Sequence, residues 1–206
     1  MLIDSLVELG SFEGDHHLLW LTLGDAYHEG GLFDQAEGSY KQAAALNPSD
    51  SRAYLSLGTL YHERDRFREA EAIYQKAFQM DPDNPDLLNG LGYLYADWGV
   101  ELDEAEVLVR RALLQRPRNG AYLDSLGWIY AKKGRLQEAL SLLEEACLYE
   151  SDPQISEHLG HVYLLLGNPQ SAQETWEKAL GSSTTQPELK RKLEADIKTL
   201  QIRKDR

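Results

Sequence analysis

One cysteine and no long apolar run set the first limits on this chain. Cys147 is alone, so neither an intrachain disulfide nor a cysteine-based zinc site can form. Its surroundings, LLEEACLYE, are apolar or acidic. It therefore reads as a small buried hydrophobe, not as an activated thiol, which needs positive charge nearby. No stretch approaches the roughly 20 apolar residues of a membrane helix, so direct membrane insertion is not expected. The N-terminus, Met1-Leu-Ile-Asp-Ser, has no basic n-region and carries Asp4 and Glu8, so it is not a secretory signal as it stands. A cytoplasmic location is the default expectation. A periplasmic or envelope protein stripped of its signal would read the same way. The motifs HExxH and GxSxG and the P-loop are all missing.

Basic charge is also scarce. The chain of 206 residues has a net charge of −13. Residues 187–206 hold seven Lys/Arg and four Asp/Glu, which leaves 14 basic and 30 acidic side chains before them. Such a field repels nucleic acid and anionic lipid and attracts basic partners. Its minimal role is to keep the surface soluble.

What the chain does have is repetition. Leu-Gly recurs at Leu23-Gly24, Leu57-Gly58, Leu91-Gly92, Leu126-Gly127 and Leu159-Gly160, at steps of 34, 34, 35 and 33 residues. Three places after each glycine stands a tyrosine: Tyr27, Tyr61, Tyr95, Tyr130 and Tyr163. Alanines follow at Ala36, Ala70, Ala105, Ala139 and Ala172, and again at Ala43, Ala77, Ala112, Ala146 and Ala179. Between them sit Tyr40, Tyr74, Val109, Leu143 and Trp176. Pro48, Pro82 and Pro117 close the first three copies. The third copy has one extra residue between Trp98 and Ala105. Its GLG at Gly90 to Gly92 is a fragment of a nucleotide fingerprint with no strand before it, so no phosphate loop is implied.

Each copy shows two apolar runs at helical spacing, broken by short polar turns such as EGGLFD and KKGRL. Small residues at Gly24 and Ala36 and their equivalents allow the two helices of one copy to approach. Tyrosines and large aliphatics are expected between copies. One pair cannot bury its apolar face alone, whereas stacked pairs share a core. Pro187 opens a last segment with Leu189, Leu193, Ile197 and Leu200 on one face, as a capping helix would have. Leu2, Leu6 and Leu9 suggest that residues 1–10 form the second helix of an incomplete preceding copy.

The pattern resembles the tetratricopeptide repeat family, over about residues 17 to 186. Trp20, Leu23, Gly24, Tyr27, Ala36, Tyr40, Ala43 and Pro48 fill the family's signature places in the first copy, Tyr54, Leu57, Gly58, Tyr61, Ala70, Tyr74, Ala77 and Pro82 fill them in the second, and the third to fifth copies are degenerate. The resemblance implies an all-α fold, an α-solenoid of helix-turn-helix repeats wound as a right-handed superhelix. Five repeats are expected at residues 17–50, 51–84, 85–119, 120–152 and 153–186. Residues 1–16 would be a half-repeat or cap, and residues 187–206 a terminal helix with a basic tail.

Chemistry is not expected. His158 and His161 lie three apart, but two ligands do not complete a zinc site, and Glu157 is adjacent to the pair and not on its face. The six histidines are expected at the surface or in a groove. Glu104, Glu106, Glu144 and Glu145 read as solvated helix residues. No catalytic, cofactor or metal site is assigned.

The resemblance implies instead that the first helices line a concave groove. The residues at its exposed places are Leu55, Thr59, Asn89, Tyr93, Asp97, Asp124, Trp128, Lys132, Glu157 and His161. Lysines for a carboxylate clamp are missing, and Asp25 and Asp124 oppose one. Tyr93 and Trp128 either anchor a partner or pack on a neighbouring first helix. With Asp97, Asp124 and Glu157 beside them, they suit a protein or peptide carrying basic and apolar anchors. The expected function is a non-enzymatic scaffold that grips a peptide or helix of a partner, in the setting of a bacterial multiprotein assembly. Two alternatives stay open: the repeat region of a larger enzyme or regulator, and a self-assembling homo-oligomer whose basic tail enters the groove of a second copy.

Overall fold

Five turns with one hydrogen-bond pattern set the helix boundaries. The computed structural model describes residues 16–182 and 187–204, and these form eleven α-helices and no strand. The helix expected over residues 1–10 lies outside the described residues. Helices α1 (His16–Glu29) and α2 (Phe33–Leu46) form the first pair, α3 (Ser51–Glu63) and α4 (Phe67–Met80) the second, and α5 (Pro85–Trp98) and α6 (Leu102–Gln115) the third. Then come α7 (Gly120–Lys132) with α8 (Leu136–Tyr149), α9 (Pro153–Leu165) with α10 (Pro169–Leu180), and the terminal α11 (Pro187–Lys204).

Each first helix stops in the same way. Gly31, Gly99, Gly134 and Gly167 have φ of 70, 78, 75 and 77°, and Asp65 holds 56° at the equivalent place. The next residue's N–H then returns to the repeat tyrosine's carbonyl: Leu32 to Tyr27 at 2.8 Å, Arg66 to Tyr61 at 2.9 Å, Val100 to Tyr95 at 3.0 Å, Arg135 to Tyr130 and Asn168 to Tyr163 at 2.9 Å. This closure satisfies carbonyls that a helix end would leave bare, and it needs one left-handed residue. The third copy absorbs its extra residue just after the closure, where Glu101 takes φ 45° before α6 begins. Several helix starts are capped by side chains. Asp50, Asn119, Asp152 and Asn168 accept from the backbone N–H of Arg52, Tyr122, Gln154 and Ser171.

The chain divides into two compact units, one ending at Leu94 and the other starting at Tyr95. In the first, α1 packs on α2, α2 on α3, α3 on α4, and the first helices α1 and α3 touch. Leu23, Tyr40, Tyr54, Leu57, Leu60 and Tyr74 form its buried interior with Ala36, Ala43, Ala70 and Ala77. A side chain on Gly58 would start 2.6 Å from the Tyr74 ring, and Gly24 faces Tyr40 in the same way. The two helices of one repeat approach at the glycine as expected, and the expectation changes in one respect: the bulky residue of the second helix fills its own repeat as well as the space toward the next. The glycine admits a bulky ring from the second helix of its own repeat, because the short turn brings a residue sixteen places on directly against it. Tyr74 also extends toward the next pair, 3.0 Å from where Gly90 would carry a Cβ.

In the second unit, α7 packs on α6 and α8, α9 on α8 and α10, and α7 on α9. Gly127 faces Leu143 and Gly160 faces Trp176. The terminal helix lays Leu193, Ile197 and Leu200 over Trp176, Ala172 and Ala179, so apolar surface of the last pair is removed from water. Cys147 is half-buried beside Leu123, Ala146 and Ile155, and burial raises its pKa.

A polar clasp recurs once in each unit. Glu37 accepts hydrogen bonds from Tyr61 Oη at 3.0 Å and Arg66 at 2.7 Å, and Lys41 pairs with it at 2.6 Å. Glu106 accepts from Tyr130 Oη at 3.0 Å and pairs with Lys133 at 2.8 Å and Arg110 at 3.0 Å. The guanidinium of Arg66 lies 4.2 Å from the Tyr61 ring centre, and that of Arg135 lies 3.8 Å from the Tyr130 ring centre. Burial opposes the charge on both glutamates, but the donors outweigh it and hold each pKa at about 2. Glu106 is thus a structural link between repeats and not a solvated helix residue.

Candidate functional site

The expected wall residues fall into two groups, one in each unit. In the first, Leu55 and Thr59 on α3 and Asn89 and Tyr93 on α5 are all half-buried. The Thr59 hydroxyl bonds the Leu55 carbonyl at 3.1 Å and meets Tyr74 Oη at 3.0 Å. Tyr93 sets its ring against His62 of α3, edge on, with centroids 5.1 Å apart. Oδ1 of Asn89 is buried without a hydrogen-bond partner.

In the second unit, Asp97 and Lys132 are exposed and Trp128 and His161 half-buried, but Asp124 and Glu157 are not on an open surface. Asp124 is 6 % exposed and Glu157 1 %. The repeat register puts both on first helices, yet neighbouring side chains cover them. Asp124 holds Nδ1 of His158 at 2.8 Å, a bond from α7 to α9. Glu157 faces Lys192 of the terminal helix at 2.9 Å and His161 at 3.3 Å. The sequence reading missed this role for Lys192. A lysine on the polar side of a terminal helix carries no signal of what it will face.

Trp128 packs on the neighbouring first helix, the second of the two readings offered for it. Its indole stacks on His158, with ring centres 4.3 Å apart and planes 14° from parallel. Lys132 places its ammonium 4.7 Å from the ring centre. The indole N–H is buried without an acceptor. What the ring leaves accessible is carbon. It packs on the neighbouring first helix and still presents an apolar surface.

The histidines also differ from expectation. His17, His62 and His158 are buried. His17 lies 3.0 Å from Asp50, which offsets the cost of covering a polar ring. Burial of His158 disfavours its charge, but the carboxylates of Asp124 and then Glu157 outweigh this and raise its pKa. Glu157 shares a face with His161, four residues on, contrary to the reading that set it apart from the histidine pair.

Known proteins share this architecture. Models described as tetratricopeptide repeat match residues 21–85, 61–129, 120–148 and 154–185. No curated protein matched the sequence. Among solved structures, a thermophilic TPR protein of Thermus thermophilus is 21% identical, with 88% of this chain and 98% of that one covered at a TM-score of 0.77. PilF of Pseudomonas aeruginosa is 16% identical over 91% of this chain and 89% of its own, at 0.65. YrrB, described as a TPR protein with an unusual peptide-binding site, is 20% identical over 95% and 98%, at 0.56. At these identities the likeness speaks for the fold alone. With the glycine, tyrosine and alanine register built as paired helices, and repeat matches along most of its length, the chain belongs to the tetratricopeptide repeat family, whose repeats are scaffolds for protein interaction.

Proposed function

We propose that the chain binds a peptide or helix of a protein partner on the first-helix wall of its second unit, with Trp128 as the anchor. The repeat fold is typically a non-enzymatic interaction module. The observation that carries the reading is the pairing of Trp128 with His158. The ring is half-exposed, yet its stacking partner is pinned by Asp124. A rigid aromatic loses little entropy when a partner settles on it, which is how binding hot spots work. The description of YrrB as having a peptide-binding site supports peptide recognition on this fold.

The partner carries an apolar anchor flanked by Lys or Arg. Asp124 and Glu157 are engaged within the chain, so the attraction comes from the field of the net charge of −13, not from direct pairing with those two carboxylates. Assembly of a bacterial multiprotein complex is a setting that suits such a scaffold.

Selection of a displayed random-peptide library on the full chain tests this. Peptides with a bulky apolar residue next to Lys or Arg are expected to enrich. Trp128→Ala is expected to weaken them by about 30-fold, on the order of 2 kcal/mol, with the helical circular dichroism signal retained. Failure to enrich any peptide, or equal binding to the variant, would refute the reading.

A further inference from the structure

A second cluster lies where the last repeat meets the terminal helix. On α9, Glu157 and His161 stand one turn apart, and α11 sets Asp196 against them. His161 Nε2 is 3.3 Å from Glu157 Oε1, and one donor atom from each of the three residues lies within 4.8 Å of the others. The Glu157 side chain is 2% exposed. Its Oε1 has no hydrogen-bond partner, and neither does the buried Oδ2 of Asp196. Lys192 lies 2.9 Å from the same Oε1, close in charge but not aligned as a hydrogen bond. The buried Oδ2 of Asp196, without a donor, is costly, whereas Glu157 Oε1 is held by the nearby charge of Lys192 and by His161. Burial raises the pKa of Asp196, as does the nearby charge of Glu157.

The surroundings are those of a ligand set. Zinc bonds to nitrogen and oxygen of about 2.0–2.1 Å place neighbouring ligands of a tetrahedron roughly 3.4 Å apart, close to the His161–Glu157 separation of 3.3 Å. The other oxygen of Glu157 faces His158 Nε2 at 3.5 Å, and His158 Nδ1 is held by Asp124 at 2.8 Å. His158 thus stands behind the carboxylate, with its own ring position fixed by Asp124. Trp176 meets the His161 ring edge on at 5.4 Å and limits its rotation.

We propose that Glu157, His161 and Asp196 bind a divalent cation of the zinc class, with a fourth position open to water or to a ligand from a partner. Lys192, whose side chain is 54% exposed, swings to solvent when the ion enters. Asp196 closes the remaining gap by turning its side chain. The ion would then pin α11 to the last repeat pair.

Titration of the full chain with zinc chloride by calorimetry in a non-chelating buffer, with cobalt absorption as a second readout, tests the site. One saturable site per chain is expected, with the visible bands of four-coordinate cobalt. His161→Ala and Asp196→Asn are each expected to weaken binding by at least about tenfold, with the helical signal preserved because both residues are half-exposed. Absence of saturable binding to the full chain, or undiminished affinity in either variant, would overturn the proposal.

Discussion

The Trp176 indole occupies the space that a side chain on Gly160 would need, and its Nε1–H donates to the Glu157 carbonyl at 3.0 Å. One missing Cβ thus lets a ring from α10 reach the backbone of α9. This relation places Glu157, and through Glu157 the whole polar cluster around it.

Gly160→Ala should therefore destabilise the chain by about 2–3 kcal/mol, since the added methyl meets a fully buried ring with no room to shift. Gly38→Ala is the control. Nothing lies within 4 Å of its Cβ position, and alanine favours a helix over glycine by up to ~1 kcal/mol. Urea melts of the two variants should move in opposite directions.

Asp65 is the one non-glycine at the left-handed place that ends each first helix, with φ 56°. Asp65→Gly relieves that strain and should raise stability by about 0.5–1 kcal/mol. An unchanged or lower denaturation midpoint would mean that the aspartate side chain compensates for its backbone.

The buried Asp124–His158 pair should be expensive to break from one side. Asp124→Ala leaves the imidazole buried without its partner and should cost about 3 kcal/mol, while the double variant Asp124→Leu/His158→Phe should cost less than that single change. Chemical denaturation of both variants beside the parent chain measures the difference.

Acid should loosen the two clasps. Glu37 and Glu106 have pKa values held at about 2, below the ordinary 4.5. A depressed carboxyl contributes stability that is complete above the unfolded value and is lost as pH falls toward the folded one. The window is therefore about pH 4.5 down to pH 2. Glu37→Gln and Glu106→Gln should each lower stability at neutral pH and flatten its decline across that range. A decline as steep as in the parent chain would show that other carboxyls govern it.

Much of this was legible in the residues. The 34-residue recurrence of glycine, tyrosine and alanine marks the helices and turns, because helix packing admits few residue types at its closest contacts. The terminal helix could be read from the spacing of its leucines. The candidate site was legible only in outline. Trp128 and Tyr93 were placed on the first helices by register, but register gives direction and not cover. Asp124 and Glu157 hold places expected to be exposed on the first helices and are nonetheless buried, because residues 34 and 35 places away in sequence reach across to them.

The sequence by itself determined the paired helices, their period and the place of each turn, since these follow from local hydrogen bonding and from which positions tolerate no side chain. Only the tertiary structure decided which polar groups meet. Contact between His158 and Asp124, or between Lys192 and Glu157, depends on how one helix pair is laid against the next, and long side chains on neighbouring helices settle together only when that packing brings them within hydrogen-bond reach.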